Sequence, residues 1–243
     1  MPTKINFTVP AGWHELADSE LRFIFGLMAA DFNSDAIKTL CLLRWNRCKV
    51  LSRQSDGTAL LRMGDDCFEV RPAQMAELLP ALAWLSELPP VPVRPSRLRR
   101  ARAIAADFQG VPLETYIIAD NLYQGFLATR QDALLDELAA LLYGKRVRPS
   151  PADRIAVFYW VASLKGFFAR RYPDFFQPAG ADGNLLGSPA PSVEDAMNSM
   201  IRALTKGDVT KEREILALDT WRALTELNAM AREYREINSK AKS

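Results

Sequence analysis

Apolar side chains recur every three or four positions over most of this chain, the spacing that gathers them on one face of an α-helix. The first such segment follows Trp13, where Leu21, Phe25 and Met28 fall in register and Asp18 or Ser19 is placed to cap. "NSD" at 33–35 breaks the pattern and can cap a second helix carrying Ile37, Leu40, Cys41 and Trp45 on one side. Residues 4–9, "KINFTV", alternate instead and predict a short strand ending at Pro10. Alternation returns at 48–54 and 58–63, which flank the turn signal "SDG", and at 67–72 after "GDD". These three pieces predict a small antiparallel meander. Residues 73–88 then read as a helix, with Pro80 a break or kink.

The prolines at 89–95 mark a change of character. Beyond them the period is helical almost throughout. We expect helices over 96–107, 112–129, 130–144 with Gly144 at its end, and 150–172 with Ser150 as N-cap and Pro151 in the first turn. The last of these is apolar nearly all round and predicts a central buried helix. "PAGADGNLLGSPAPS" (178–192) reads as a mobile loop, followed by a short helix at 193–205 and, after "KGD", one long helix from about 210 to 240. The fold class expected is therefore mainly α with a small antiparallel β meander, ending in a helical bundle. The organisation expected is a small α+β part (1–88), a proline-rich linker (89–95) and a helical part (96–243).

Composition narrows the function. The chain has 243 residues, 49% hydrophobic and 25% charged, which suits a folded protein of one large or two small domains. Its net charge is only +2, so any attraction to nucleic acid or an anionic membrane must be local. The opening "MPTKINFTVP" has no apolar core of the kind a secretion signal needs, and no apolar run approaches membrane-spanning length, so a cytoplasmic protein is expected. Three cysteines, Cys41, Cys48 and Cys67, at irregular spacing make a poor disulfide framework and are expected to be free, packed thiols.

The residues for chemistry are sparse. With one histidine, His14, neither a multi-histidine metal site nor a multi-histidine catalytic arrangement can be built, and His14 has no evident partner as a general base. "GADGNLLG" (180–187) lacks the lysine and hydroxyl of a phosphate-binding loop. Asp65–Asp66 reads as a turn and Asp132–Asp136 as a solvated helix face. No cofactor or metal is expected, and no enzyme.

Two surfaces remain. Five arginines, Arg94, Arg97, Arg99, Arg100 and Arg102, lie within nine residues; as a helix they would present two basic faces to phosphates. No aromatic side chain interleaves with them, which argues against base stacking. The final helix carries a second candidate, an apolar stripe through Trp221, Leu224, Leu227, Met230 and Tyr234 that either docks on the protein's own core or anchors a partner helix.

Three segments bear on which. "FTVPAGWHELADSELRFIFGLM", "RIAVFYWVASLKGFFARRYPDFF" and "MIRALTKGDVTKEREILALDTWRALTELNAMAREYREI" resemble the opening, the central hydrophobic helix and the closing segment of prophage-encoded tail-assembly proteins of gut bacteria. They cover about a third of the chain and exclude the meander and the arginine cluster. The resemblance implies a non-enzymatic, tail-assembly-chaperone-like role in virion assembly. Its expected partner is another phage structural or assembly protein, of tape-measure type, bound through helical surfaces. A nucleic-acid-binding module built on the arginine cluster is the alternative.

Overall fold

The fold comes from a computed structural model, which describes residues 6–144, 146–176 and 193–241. It is mainly helical, with a three-stranded antiparallel meander near the N-terminus. Helices α1 (Asp18–Ala29) and α2 (Ser34–Trp45) come first. Asn33 caps α2 by accepting the Ala36 N–H at 2.8 Å. At α1 the cap position is Ala17, whose N–H donates to Glu20; the expected caps, Asp18 and Ser19, lie within the first turn, and Asp18 accepts from Ser96.

Strands β1 (Lys49–Arg53), β2 (Ala59–Met63) and β3 (Asp66–Val70) pair in chain order. The turn signals at 55–57 and 64–65 thus do what their residues predict. Residues 6–9 form no strand, and residues 4 and 5 lie outside those described. Helix α3 (Pro72–Leu78) gives way at Leu79 to a 3-10 segment, Leu79–Ser86, because Pro80 has no N–H to continue the α-helical ladder.

Helices α4 (Leu113–Thr129), α5 (Asp132–Tyr143) and α6 (Pro151–Arg171) form the centre of the second part. Helix α6 begins where its sequence says it must. The Ser150 hydroxyl accepts the Asp153 N–H, and the Asp153 carboxylate accepts the Ser150 N–H at 2.9 Å. Val157, Trp160, Val161, Leu164 and Phe168 are fully enclosed, while Ile155, Phe158, Tyr159 and Phe167 are partly buried. The short α7 (Pro173–Phe176) follows. Helix α8 (Val193–Thr205) lies beyond the expected loop at 178–192, which falls outside the described residues.

Helix α6 also belongs to the first part. Its Ala156 and Tyr159 pack with Trp13, Ile24 and Phe25, so α1 and α6 share one core. The proline segment between the parts is laid down on this frame. Pro89, Pro92 and Pro95 are buried, and Tyr143 donates its hydroxyl to the Pro95 carbonyl at 2.8 Å. Burial, above all, raises the Tyr143 phenol well beyond its ordinary range, so it stays protonated and able to donate.

Two sequence expectations fail here. Residues 96–107 are not a helix: Arg97–Leu98 (β4) and Ala101–Arg102 (β5) make a two-stranded hairpin, followed by irregular chain. Leu98 is drawn into the core beside α5 and α6, and the Ile104 N–H is bonded to the Leu142 carbonyl at 3.0 Å. Four residues of strand are too few for alternation to register in the sequence. The long final helix is also interrupted. Glu212–Leu216 (α9) and Thr220–Ala241 (α10) are separate, because residues 217–219 turn aside to pair with residues 111–113. The Leu113 N–H reaches the Leu218 carbonyl and the Thr220 N–H the Val111 carbonyl, both at 2.8 Å.

Candidate functional site

The hairpin turns the arginine cluster into something other than a basic helix. Leu98 and Ala101 pair, leaving Arg99 and Arg100 as a two-residue loop. Such loops favour a positive φ, usually supplied by glycine, asparagine or aspartate. Here Arg99 takes it, with φ 52°. Arg97 and Arg102 stand directly opposite each other across the strands, where like charges repel. Arg97, Arg99, Arg100 and Arg102 are all exposed, and among the described residues none forms an ion pair with a carboxylate. Arg94 is different. Half-buried, it donates from Nε to the Ile104 carbonyl at 3.0 Å and lies over the Trp160 ring, so it holds the hairpin in place.

The hairpin is fastened to α1 as well. Asp18 accepts both the N–H and the hydroxyl of Ser96, at 2.8 and 2.5 Å. Arg22, one turn along α1, donates to the Arg97 carbonyl. These contacts set Arg99 beside a cleft of about 500 Å³ between α1, the hairpin and the start of α6. Arg22 and Arg148 also line it, with Asp153 opposing them and Phe25 and Ala156 as apolar wall. The lining thus carries three positive charges against one negative. Sequence reading found Arg99 but missed Arg22 and Arg148. Arg22 looks like a solvated position of α1, and Arg148 sits in "KRVRPS", 49 positions further on than Arg99 by the numbering. Only the fold brings the three together.

The apolar stripe of α10 divides in two. Leu224 and Leu227 are buried at 0% and 3% exposure, so they are spent on the protein's own core and offer no surface to a partner. Trp221 is half-buried, held against Phe167 and Arg171, with its indole N–H donated to the Asp107 carbonyl at 2.6 Å. Met230 is half-buried. Tyr234 stands 68% exposed, and Ile237, one turn on, 66%. Helices α7 and α8 pack on α10, and α7 holds it from Asn228 to Arg235, while Tyr234 and Ile237 stay exposed.

His14 is exposed in a 3-10 turn, with the Glu15 carboxylate at 4.0 Å. Among the described residues no group of three His, Cys, Asp or Glu side chains is placed to hold a metal ion. No helix among them is long and apolar enough to cross a membrane. No protein-family model, no curated protein and no solved structure matches the chain.

Proposed function

We propose that this protein is a non-catalytic assembly factor of a phage or prophage, acting in virion or tail assembly in the host cytoplasm through protein–protein contact. The observation that carries the reading is the projecting end of α10, where Tyr234 and Ile237 extend the core stripe into solvent. A tyrosine and an isoleucine one turn apart, with half-buried Met230 one turn before them, fit the i, i+3, i+4, i+7 anchoring of a partner helix. The resemblance of the closing segment to tail-assembly proteins supports the same surface. The partner it suggests is a long, helical, tape-measure-like protein. Anchoring has moved from the set read in the sequence: Trp221, Leu224 and Leu227 build the platform, and Met230, Tyr234 and Ile237 are left to meet the partner.

Co-expression with a phage tape-measure protein, a long helical chain, tests the reading. Tyr234→Asp with Ile237→Asp is expected to abolish co-purification while leaving the melting temperature of the isolated protein unchanged. Undiminished capture by the double variant would remove the α10 surface from consideration.

A further inference from the structure

The arginine hairpin and its cleft take no part in the α10 surface, and they carry an inference of their own. Four exposed arginines without carboxylate partners lie on six consecutive residues. Arg97 faces Arg102, a repulsion that an anion between them would relieve. Arg99 occupies a left-handed position that glycine would fill without steric cost. Both features work against the stability of the free protein, and the second sets Arg99 at the wall of the cleft. Arg22 and Arg148 face that cleft from two other elements. Asp153 accepts from the Ser150 N–H and hydroxyl, and Asp18, which accepts from Ser96, lies 4.0 Å from Arg22, so two carboxylates stand against six arginines.

We propose that the hairpin and cleft bind the phosphodiester backbone of nucleic acid. Arg22, Arg99 and Arg148 supply the charge for one phosphate at the cleft; Arg97, Arg100 and Arg102 serve its neighbours along the strand. The ligand chemistry follows from the side chains. All six are arginines, whose planar fork matches phosphate oxygens in pairs. A single phosphate would occupy the cleft and leave the outer three arginines unused, whereas a polyanion engages all of them. No aromatic ring interleaves with the hairpin arginines, so the contacts read the backbone and not the bases.

Fluorescence anisotropy of the full chain with a labelled oligonucleotide of about 20 nucleotides, single-stranded and duplex, from about 30 to about 200 mM salt, tests this. Binding is expected to be indifferent to base sequence and to weaken steeply with salt. Arg99→Gly and Arg148→Gln are each expected to lower the salt slope by about 1, and together to weaken binding about tenfold at the lowest salt. Arg62→Gln, an exposed arginine of the meander, is expected to change affinity less than about twofold. Arg99→Gly separates binding from folding, because glycine suits that φ: the melting temperature should hold or rise while affinity falls. Four results overturn the proposal: no binding at the lowest salt; the same loss with Arg62→Gln as with the cleft variants; equal binding of polyglutamate, which points to an acidic protein; or inorganic phosphate occupying the cleft while the oligonucleotide stays free. Retention of oligonucleotide binding by the Tyr234→Asp, Ile237→Asp variant keeps this site distinct from the α10 surface.

Discussion

Arg154 of α6 holds Asp136 of α5 through two parallel hydrogen bonds, Nε to Oδ1 at 2.7 Å and Nη2 to Oδ2 at 2.8 Å. Its third nitrogen reaches Asp132 at 3.1 Å. What reads in the sequence as a solvated acidic face is the clasp between the two central helices. The guanidinium hydrogen bond holds the Asp136 carboxyl below the usual carboxylate range, against a smaller opposing effect of burial. A depressed folded-state pKa contributes stability above the unfolded value, near 3.9, and loses it as the pH falls through the folded value. Both side chains are partly exposed, so solvent screening limits the bridge to about 1 kcal/mol. Asp136→Asn should therefore lower stability by about 1 kcal/mol at neutral pH, and the gap should narrow as the pH falls below the unfolded value. Urea unfolding of both proteins from about pH 7 to pH 3 measures it.

The three thiols should differ sharply in reactivity. Burial pushes the Cys41 thiol up to about 12, and Cys48 is raised by the same cause. Cys67, expected to be packed, is instead exposed on β3, the last strand of the meander. Since the thiolate is the reacting species, a disulfide reagent at about pH 8 should label Cys67 first and leave Cys41 untouched until the protein unfolds. Mass mapping after timed quenching gives the order. Labelling of Cys41 at the rate of Cys67 would mean that the α1–α2 core opens readily.

The division of α10 has a direct mutational signature. Leu227→Ala removes a side chain enclosed by the core and should cost about 2–4 kcal/mol. Tyr234→Ala removes an exposed one and should stay within about 0.5 kcal/mol of the parent. Thermal or chemical unfolding of the two variants decides it.

Asp219 joins two distant segments. Its Oδ2 accepts the Gly110 N–H at 2.6 Å, and its Oδ1 accepts the Arg222 N–H at 3.0 Å, capping α10. Asp219→Ala should cost about 1–2 kcal/mol, at the upper end of what losing a cap costs, because two donors lose their acceptor at once. Asp219→Asn, which keeps an acceptor oxygen, should recover part of it. Equal losses in the two variants would show that the charge, and not the hydrogen bonds, is what counts.

Much of the fold was legible because its signals are local. Asn33 before α2, Ser150 and Pro151 at α6, and Gly144 after α5 each act on backbone groups within a turn of themselves. The alternating strands of the meander declare themselves in the same way. The candidate sites were less legible. The arginine cluster was visible as composition, but its shape was not. A stripe of apolar positions on α10 was visible too, yet periodicity does not say whether a neighbour covers it.

By itself the sequence determined the helical class, the meander, the caps of α2 and α6 and the presence of a concentrated positive charge. Each of these depends on side-chain chemistry over a few residues. Tertiary structure alone decided that 96–107 becomes a hairpin, that the last helix breaks at 217–219, and that Leu227 is core while Tyr234 is surface. It also brought Arg22, Arg99 and Arg148 to one cleft. These outcomes depend on contacts between segments tens of residues apart: Leu98 against the α5–α6 core, Leu218 against Leu113, Asp18 against Ser96. A long-range hydrogen bond or a buried leucine outweighs the few tenths of a kcal/mol per residue by which local helix propensity favours one conformation.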